Sequence, residues 1–174
     1  LTPNNITQGP AVLAGGLLLV AVGEGVRLWG VHHIGVISRT RSDRLGPLVS
    51  SGPFAFVRNP LYLGNIALWA GFAVTAGLLW LAPLFVAVLG FEYHAIVRWE
   101  EGLLDARLGT DYRDYARRVP RWLPQWPSNA AAPEAVRAAP TAPFSWRETT
   151  YSERGTLIAI VVGCLLLWLK ARLF

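Results

Sequence analysis

From Leu61 to Val97 the chain stays apolar for far longer than a single membrane crossing requires. About 20 residues at roughly 1.5 Å each span a hydrocarbon core. Asn65, Thr75, Glu92 and His94 are the only clearly polar members of the run, and Gly77 and Pro83 sit near its middle. A turn is cheapest at such residues, so the run reads as two antiparallel helices, about Leu61 to Ala76 and Leu81 to Trp99. Each is short for a span, which implies a tilted hairpin or a locally thinned bilayer. Composition agrees: 16% of residues are charged and 53% hydrophobic, where a soluble domain carries about 25% charged residues. Lipid is the solvent this sequence is built for.

Two further runs complete the pattern. Ala11 to Val31 is a first span, interrupted by Glu24 and Arg27, which are neighbours on one helical face. They fit a local ion pair near the interface or a helix end outside the lipid, and equally polar groups facing a bundle interior. The run has no basic stretch before it and no small-residue cleavage site after it, so a retained helix is predicted rather than a signal peptide. Thr156 to Leu169 is the last run, with Arg154 before it and Lys170 and Arg172 after it. The fold class predicted is therefore an all-α integral membrane protein with about four membrane helices.

Between the runs, His32 to Pro53 reads as a loop carrying Arg39, Arg41, Arg44 and Pro47. The second hairpin helix should continue past the lipid to Leu108. Gly109 then ends it, and Thr110 or Asp111 caps a short helix finishing before Pro120. Pro120, Pro124 and Pro127 close that region, with Trp122 and Trp126 as interfacial anchors. Ser128 to Pro143 is rich in Ala and Pro and reads as a linker. Three parts are expected: a membrane core over 1–127, a linker over 128–150 and a terminal membrane helix over 151–174.

The net charge of +5 does not imply nucleic acid, because the arginines flank apolar runs and interleave with acids rather than forming a continuous basic face. Loops retained in the cytoplasm gather arginine. Arg39, Arg41, Arg44 and Arg58 follow the first run; Arg107, Arg113, Arg117, Arg118 and Arg121 follow the third. Both segments should be cytoplasmic, of a bacterial inner membrane, with the 77–83 turn outside. Four spans place the C-terminus outside too, against the weak signal of Lys170 and Arg172. Cys164 is alone in an apolar run, so no intrachain disulfide or cysteine metal site arises. His32 and His33 with Glu24 match no common metal spacing, and no metal site is expected.

Two segments carry chemistry. The first is Gly52-Pro-Phe-Ala-Phe-Val-Arg-Asn-Pro-Leu-Tyr-Leu-Gly64. The second is Glu100-Glu101, followed by Leu108-Gly109, Tyr112, Tyr115, Val119-Pro120-Arg121 and Leu123-Pro124. Their order and spacing, across Leu48 to Trp126, resemble the isoprenylcysteine carboxyl methyltransferase and phospholipid methyltransferase superfamily. One departure is Asn59, where the eukaryotic pattern has histidine; asparagine cannot titrate, so it suits hydrogen bonding rather than proton transfer.

The resemblance implies S-adenosylmethionine as cofactor and a lipophilic, membrane-embedded acceptor, with Arg58, Asn59, Pro60, Tyr62, Gly64, Glu100, Glu101, Tyr115, Pro120 and Pro124 around the cofactor. The residue types suit this. Pro60 opens a helix without losing a needed hydrogen bond, and the freed N–H groups favour an electron-rich group. Tyr62 offers a ring and a hydroxyl, and Gly64 lets a ligand or another helix come close. A plain helix start with an interfacial tyrosine competes with that reading. Glu100 and Glu101 point about 100° apart on a helix, so one would serve the ligand and the other would orient Arg98 or a loop.

Methyl transfer from a sulfonium needs alignment and exclusion of water. A carboxylate acceptor needs only orientation, for which Arg98 is the candidate, against snorkelling at the interface. A phospholipid amine would need a base, Glu101 or His94, although His94 also reads as a neutral core histidine. Glu101 and Arg98 are thus the catalytic candidates. The rivals are N-methylation of an amine headgroup and a non-catalytic binding module on the same scaffold, and homo-oligomers stay open.

Overall fold

Two of the described helices begin on proline. Pro10 opens α1 (Pro10–Ile34) and Pro60 opens α2 (Pro60–Thr75), a position where the missing N–H has no intrahelical partner to lose. A computed structural model describes residues 9–35, 48–126 and 145–173. Arg39, Arg41, Arg44, Pro47, Pro127 and the Ala/Pro-rich linker over 128–143 lie outside the described residues. Within them, every regular element is helical.

The long apolar run folds as the predicted hairpin. α2 turns at 76–80 into α3 (Leu81–Leu108), and the ring pairs Tyr62–Tyr93 and Trp69–Phe85 mark their antiparallel packing. α3 is 28 residues long, so at about 1.5 Å per residue it outlasts the lipid and carries its end beyond it. Gly109 follows, with φ of 54°, a left-handed conformation that a residue with a Cβ adopts only at a cost. It caps both the end of α3 and the start of α4 (Thr110–Arg118), and no side chain caps α4. Thr110 is already helical and Asp111 lies in the first turn; neither is the cap expected from the sequence.

α5 (Trp146–Leu173) starts within the stretch assigned to the linker. Its start is a reciprocal cap: the Ser145 N–H donates to Glu148 Oε2 at 2.9 Å, and the Glu148 N–H donates to Ser145 Oγ at 3.3 Å. This Ser-x-x-Glu pattern satisfies two otherwise orphaned donors. α1, α3 and α5 are long and apolar enough to cross a membrane, whereas α2 is a shorter apolar helix of 16 residues.

Backbones approach most closely between α1 and α2. A methyl group on Gly23 would lie 2.7 Å from the Gly64 carbonyl oxygen, and one on Gly71 would lie 2.9 Å from that of Gly16. Glycines recurring at seven-residue spacing, Gly16 and Gly23 against Gly64 and Gly71, make this seam. Dispersion contact between backbones is what small residues contribute where lipid removes the hydrophobic drive.

α5 runs antiparallel to α1 and parallel to α2, with Gly163 against the Phe72 ring and Lys170 Nζ donating to the Ala76 carbonyl at 3.3 Å. Lys170 therefore serves the C-terminal end of α2, where a cation complements the helix dipole. That contact accounts for a basic residue at the end shared with the 76–80 turn. The opposite end gathers the end of α1, the Gly52–Ala55 3-10 turn, α4 and the start of α5.

Candidate functional site

The two motif segments meet at that second end. Backbone bonds stitch them first: the Arg58 N–H donates to the Pro120 carbonyl at 2.9 Å, and the Gln125 N–H to the Phe56 carbonyl at 3.0 Å. Asn59 Nδ2 adds a bond to the Arg121 carbonyl at 3.1 Å. Asn59 thus precedes Pro60 with a non-helical backbone, φ −124° and ψ 54°, and does not cap α2 with its side chain; the residue before a proline is pushed out of the helical region.

Beneath this seam lies the aromatic floor of α4. Tyr112 and Tyr115 are buried with Val119 against Leu48, Leu104 and Leu108. Tyr115 donates its hydroxyl to the Phe54 carbonyl at 2.8 Å. Burial holds the Tyr115 phenol above its ordinary range. Desolvation, and then the nearby Glu101 charge, raise that of Tyr112, against the opposing pull of Arg58. Both phenols stay neutral.

The glutamate pair divides its work. Glu101 Oε1 accepts from Arg121 Nε at 2.9 Å and is ion-paired with Arg58 Nη1 at the same distance, while its Oε2 accepts from Arg121 Nη2 at 2.6 Å. A fork of this kind fixes the carboxylate plane. Arg121 fills two of its roughly four acceptor positions, and the Arg58 charge stands beside Oε1. Glu100 faces α2 instead, and its Oε1 accepts the Tyr62 hydroxyl at 2.9 Å. Glu100 Oε2 takes no hydrogen bond from any described residue, and Arg58 Nε is buried without a hydrogen-bond partner among them. Tyr62 also packs on Tyr93, ring centroids 4.7 Å apart.

The structure therefore brings together Arg58, Asn59, Tyr62, Glu100, Glu101 and the Pro120 carbonyl. Pro60 is fully buried at the helix start, Tyr115 is turned into the floor, and Pro124 is exposed beside Gln125. Gly64 faces the other way: what approaches it is α1, through Gly23 and the Arg27 stem. Arg98 is exposed on α3, three residues before Glu101, and enters none of the bonds to the glutamate pair. His94 is exposed rather than in a core; Trp122 Nε1 donates to its Nδ1 at 3.4 Å.

Sequence reasoning missed Arg121 as the main partner of Glu101, and Tyr112, which accepts from Arg58 Nη1 at 3.2 Å. Both stood inside the quoted motif, and the position of Arg121 directly after Pro120 was the available signal.

Comparison with known proteins gives the family. The family model for phospholipid methyltransferase matches residues 11–111, from α1 to the start of α4. The nickel-cobalt-cadmium resistance protein NccN of Alcaligenes xylosoxydans xylosoxydans is 31% identical over 66% of this chain and 51% of its own length. The cobalt-zinc-cadmium resistance protein CzcN of Cupriavidus metallidurans is 28% identical over 67% of this chain and 50% of its own. Methanethiol S-methyltransferase 2 of Bradyrhizobium diazoefficiens is 40% identical over 41% of this chain and 27% of its own. The chain spans about half the length of the first two and less of the third. No solved structure matches.

Proposed function

The chain belongs to the phospholipid methyltransferase family, and from that premise we propose that it transfers a methyl group from S-adenosylmethionine to a lipophilic acceptor reached from the bilayer. The observation that carries this reading is the joining of the motif segments through Tyr62–Glu100 and through Glu101 between Arg58 and Arg121.

The residues fit an amino-acid-bearing sulfonium. Glu100 Oε2 can accept from its ammonium, and the buried, unpartnered Arg58 Nε can donate to its carboxylate. The Tyr62 and Tyr93 rings offer π faces for a cationic group. When bound, this cofactor supplies the activated methyl. The protein's own residues hold and align. Glu101 keeps both guanidiniums in place, Tyr62 holds Glu100 in one rotamer, and the apolar surround excludes water that would blunt the acceptor.

Arg98, exposed at the rim, is suited to orient a carboxylate acceptor. An amine acceptor would use Glu100 as base rather than Glu101, which is held by Arg121 and paired with Arg58. We assign the arginine-rich end to the cytoplasm by the positive-inside rule.

Incubation with methyl-labelled S-adenosylmethionine and total membrane lipid extract tests the reading. Label released by mild alkali identifies a carboxyl ester, and alkali-stable label an N-methylated headgroup. A labelled volatile thioether formed from added methanethiol would point to the chemistry named for the Bradyrhizobium relative. Absence of cofactor binding in calorimetric titration would leave the scaffold as a non-catalytic module.

A further inference from the structure

α5 turns two polar residues inward. Thr149 and Glu153 are its only buried members among the described residues, and its apolar side chains Ile158, Val161, Leu165, Leu166 and Trp168 face outward. In lipid such outward faces cost nothing, so polar contacts must decide where this helix docks.

They converge on Arg27. Its Nε lies 3.4 Å from Glu24 Oε2 on α1; its Nη1 donates to Asn65 Oδ1 on α2; its Nη2 donates to Glu153 Oε2 and, at 3.2 Å, to Thr156 Oγ1 on α5. Each nitrogen of the guanidinium thus addresses a different helix. The side chains of Arg27, Glu24 and Glu153 are 13%, 8% and 10% exposed, so no bulk water replaces these partners. The aliphatic stem of Arg27 lies over Gly64, where a methyl group would sit 2.7 Å from Cγ. Gly64 and Asn65 follow Tyr62 within one helical turn. One side of this turn is held by Arg27, and another presents Tyr62 to Glu100.

We infer that Arg27, fixed by Glu153, is a positioning residue for the site. It sets the rotation of α2 at which the Tyr62 hydroxyl meets Glu100. α5, which lies beyond the matched residues 11–111, is thereby part of the working site. A planar fork with nitrogens on three bearings is needed, and lysine cannot reproduce it. This inference rests on the reading of Tyr62 and Glu100 as the cofactor's contacts.

A double-mutant cycle on the full chain in lipid nanodiscs tests it. Arg27→Lys and Glu153→Gln are each combined with Tyr62→Phe, with S-adenosylmethionine titrated and thermal unfolding recorded. Each single change should weaken cofactor affinity about tenfold; in the Tyr62→Phe background the further loss should be under about twofold, the signature of coupled sites. Equal losses in both backgrounds would overturn the inference, since a merely structural bond adds independently. Should Arg27→Lys fail to fold, the milder Glu153→Gln carries the cycle alone. The melting cycle needs no ligand. A wild-type chain that binds no cofactor therefore refutes the functional reading, while additive or non-additive Tm shifts still decide the coupling of Arg27 to Tyr62.

Discussion

At the membrane edge two arginines, Arg58 and Arg121, share the single carboxylate of Glu101; inside the bundle one arginine, Arg27, is shared by Glu24 and Glu153. The first cluster has a surplus of positive charge and is partly open, with Arg121 28% exposed. It can receive an anionic group and exchange a lost bond for water. The second sets two carboxyl groups against one guanidinium and has no such recourse. Both carboxylate oxygens of Glu24 are buried without a hydrogen-bond donor among the described residues. The same ingredients therefore make a receptive edge in one proportion and a fixed joint in the other.

The comparison breaks first at the joint. Arg27→Ala should leave two buried carboxylates facing each other, a loss on the order of 3–5 kcal/mol for an uncompensated buried charge. Expression and Tm in nanodiscs should fall sharply. At the edge, Glu101→Gln should lower stability by about 1.5–3 kcal/mol, the range for hydrogen bonds to charged groups, and should abolish labelled-methyl transfer. A Tm as low as that of Arg27→Ala would erase the distinction between the clusters.

Tyr62→Phe removes one hydrogen bond, for about 1 kcal/mol of stability, and should weaken S-adenosylmethionine binding about tenfold in calorimetric titration. Alkali should loosen the edge alone. Burial raises the Tyr115 phenol in the fold, so its contribution is intact below the ordinary phenol value of about 10 and fades as pH climbs beyond it. Proteolysis near α4 should then precede loss of helical signal. Arg98→Ala, exposed and outside both clusters, should change stability by less than about 0.5 kcal/mol. Any defect it shows should appear in acceptor KM.

The helices were legible because lipid imposes length and composition. Ala11 to Val31 became Pro10–Ile34, and the hairpin turned where Gly77 stands. The meeting of Tyr62 with the glutamate pair was legible only through the motif's resemblance, since nothing local brings residues 38 apart together. Arg98 drew attention by adjacency in the chain, but helical geometry hands Glu101 to Arg121, twenty residues on. Sevenfold glycine spacing on α1 and α2 was present and unread. Arg27 was recognised as a polar intruder, yet its partner Glu153 is too remote for any spacing rule.

That remoteness has a consequence for synthesis. Glu153 follows Arg27 by 126 residues, so at about 5–20 residues per second the ribosome delivers it roughly 6–25 seconds later. Asn65 arrives after only 38 residues, along with the glycines of α2. The α1–α2 pair thus holds Arg27 between Glu24 and Asn65 before Glu153 is made. α5 therefore docks on two helices that have already met, and its arrival is what gives Arg27 its partner Glu153.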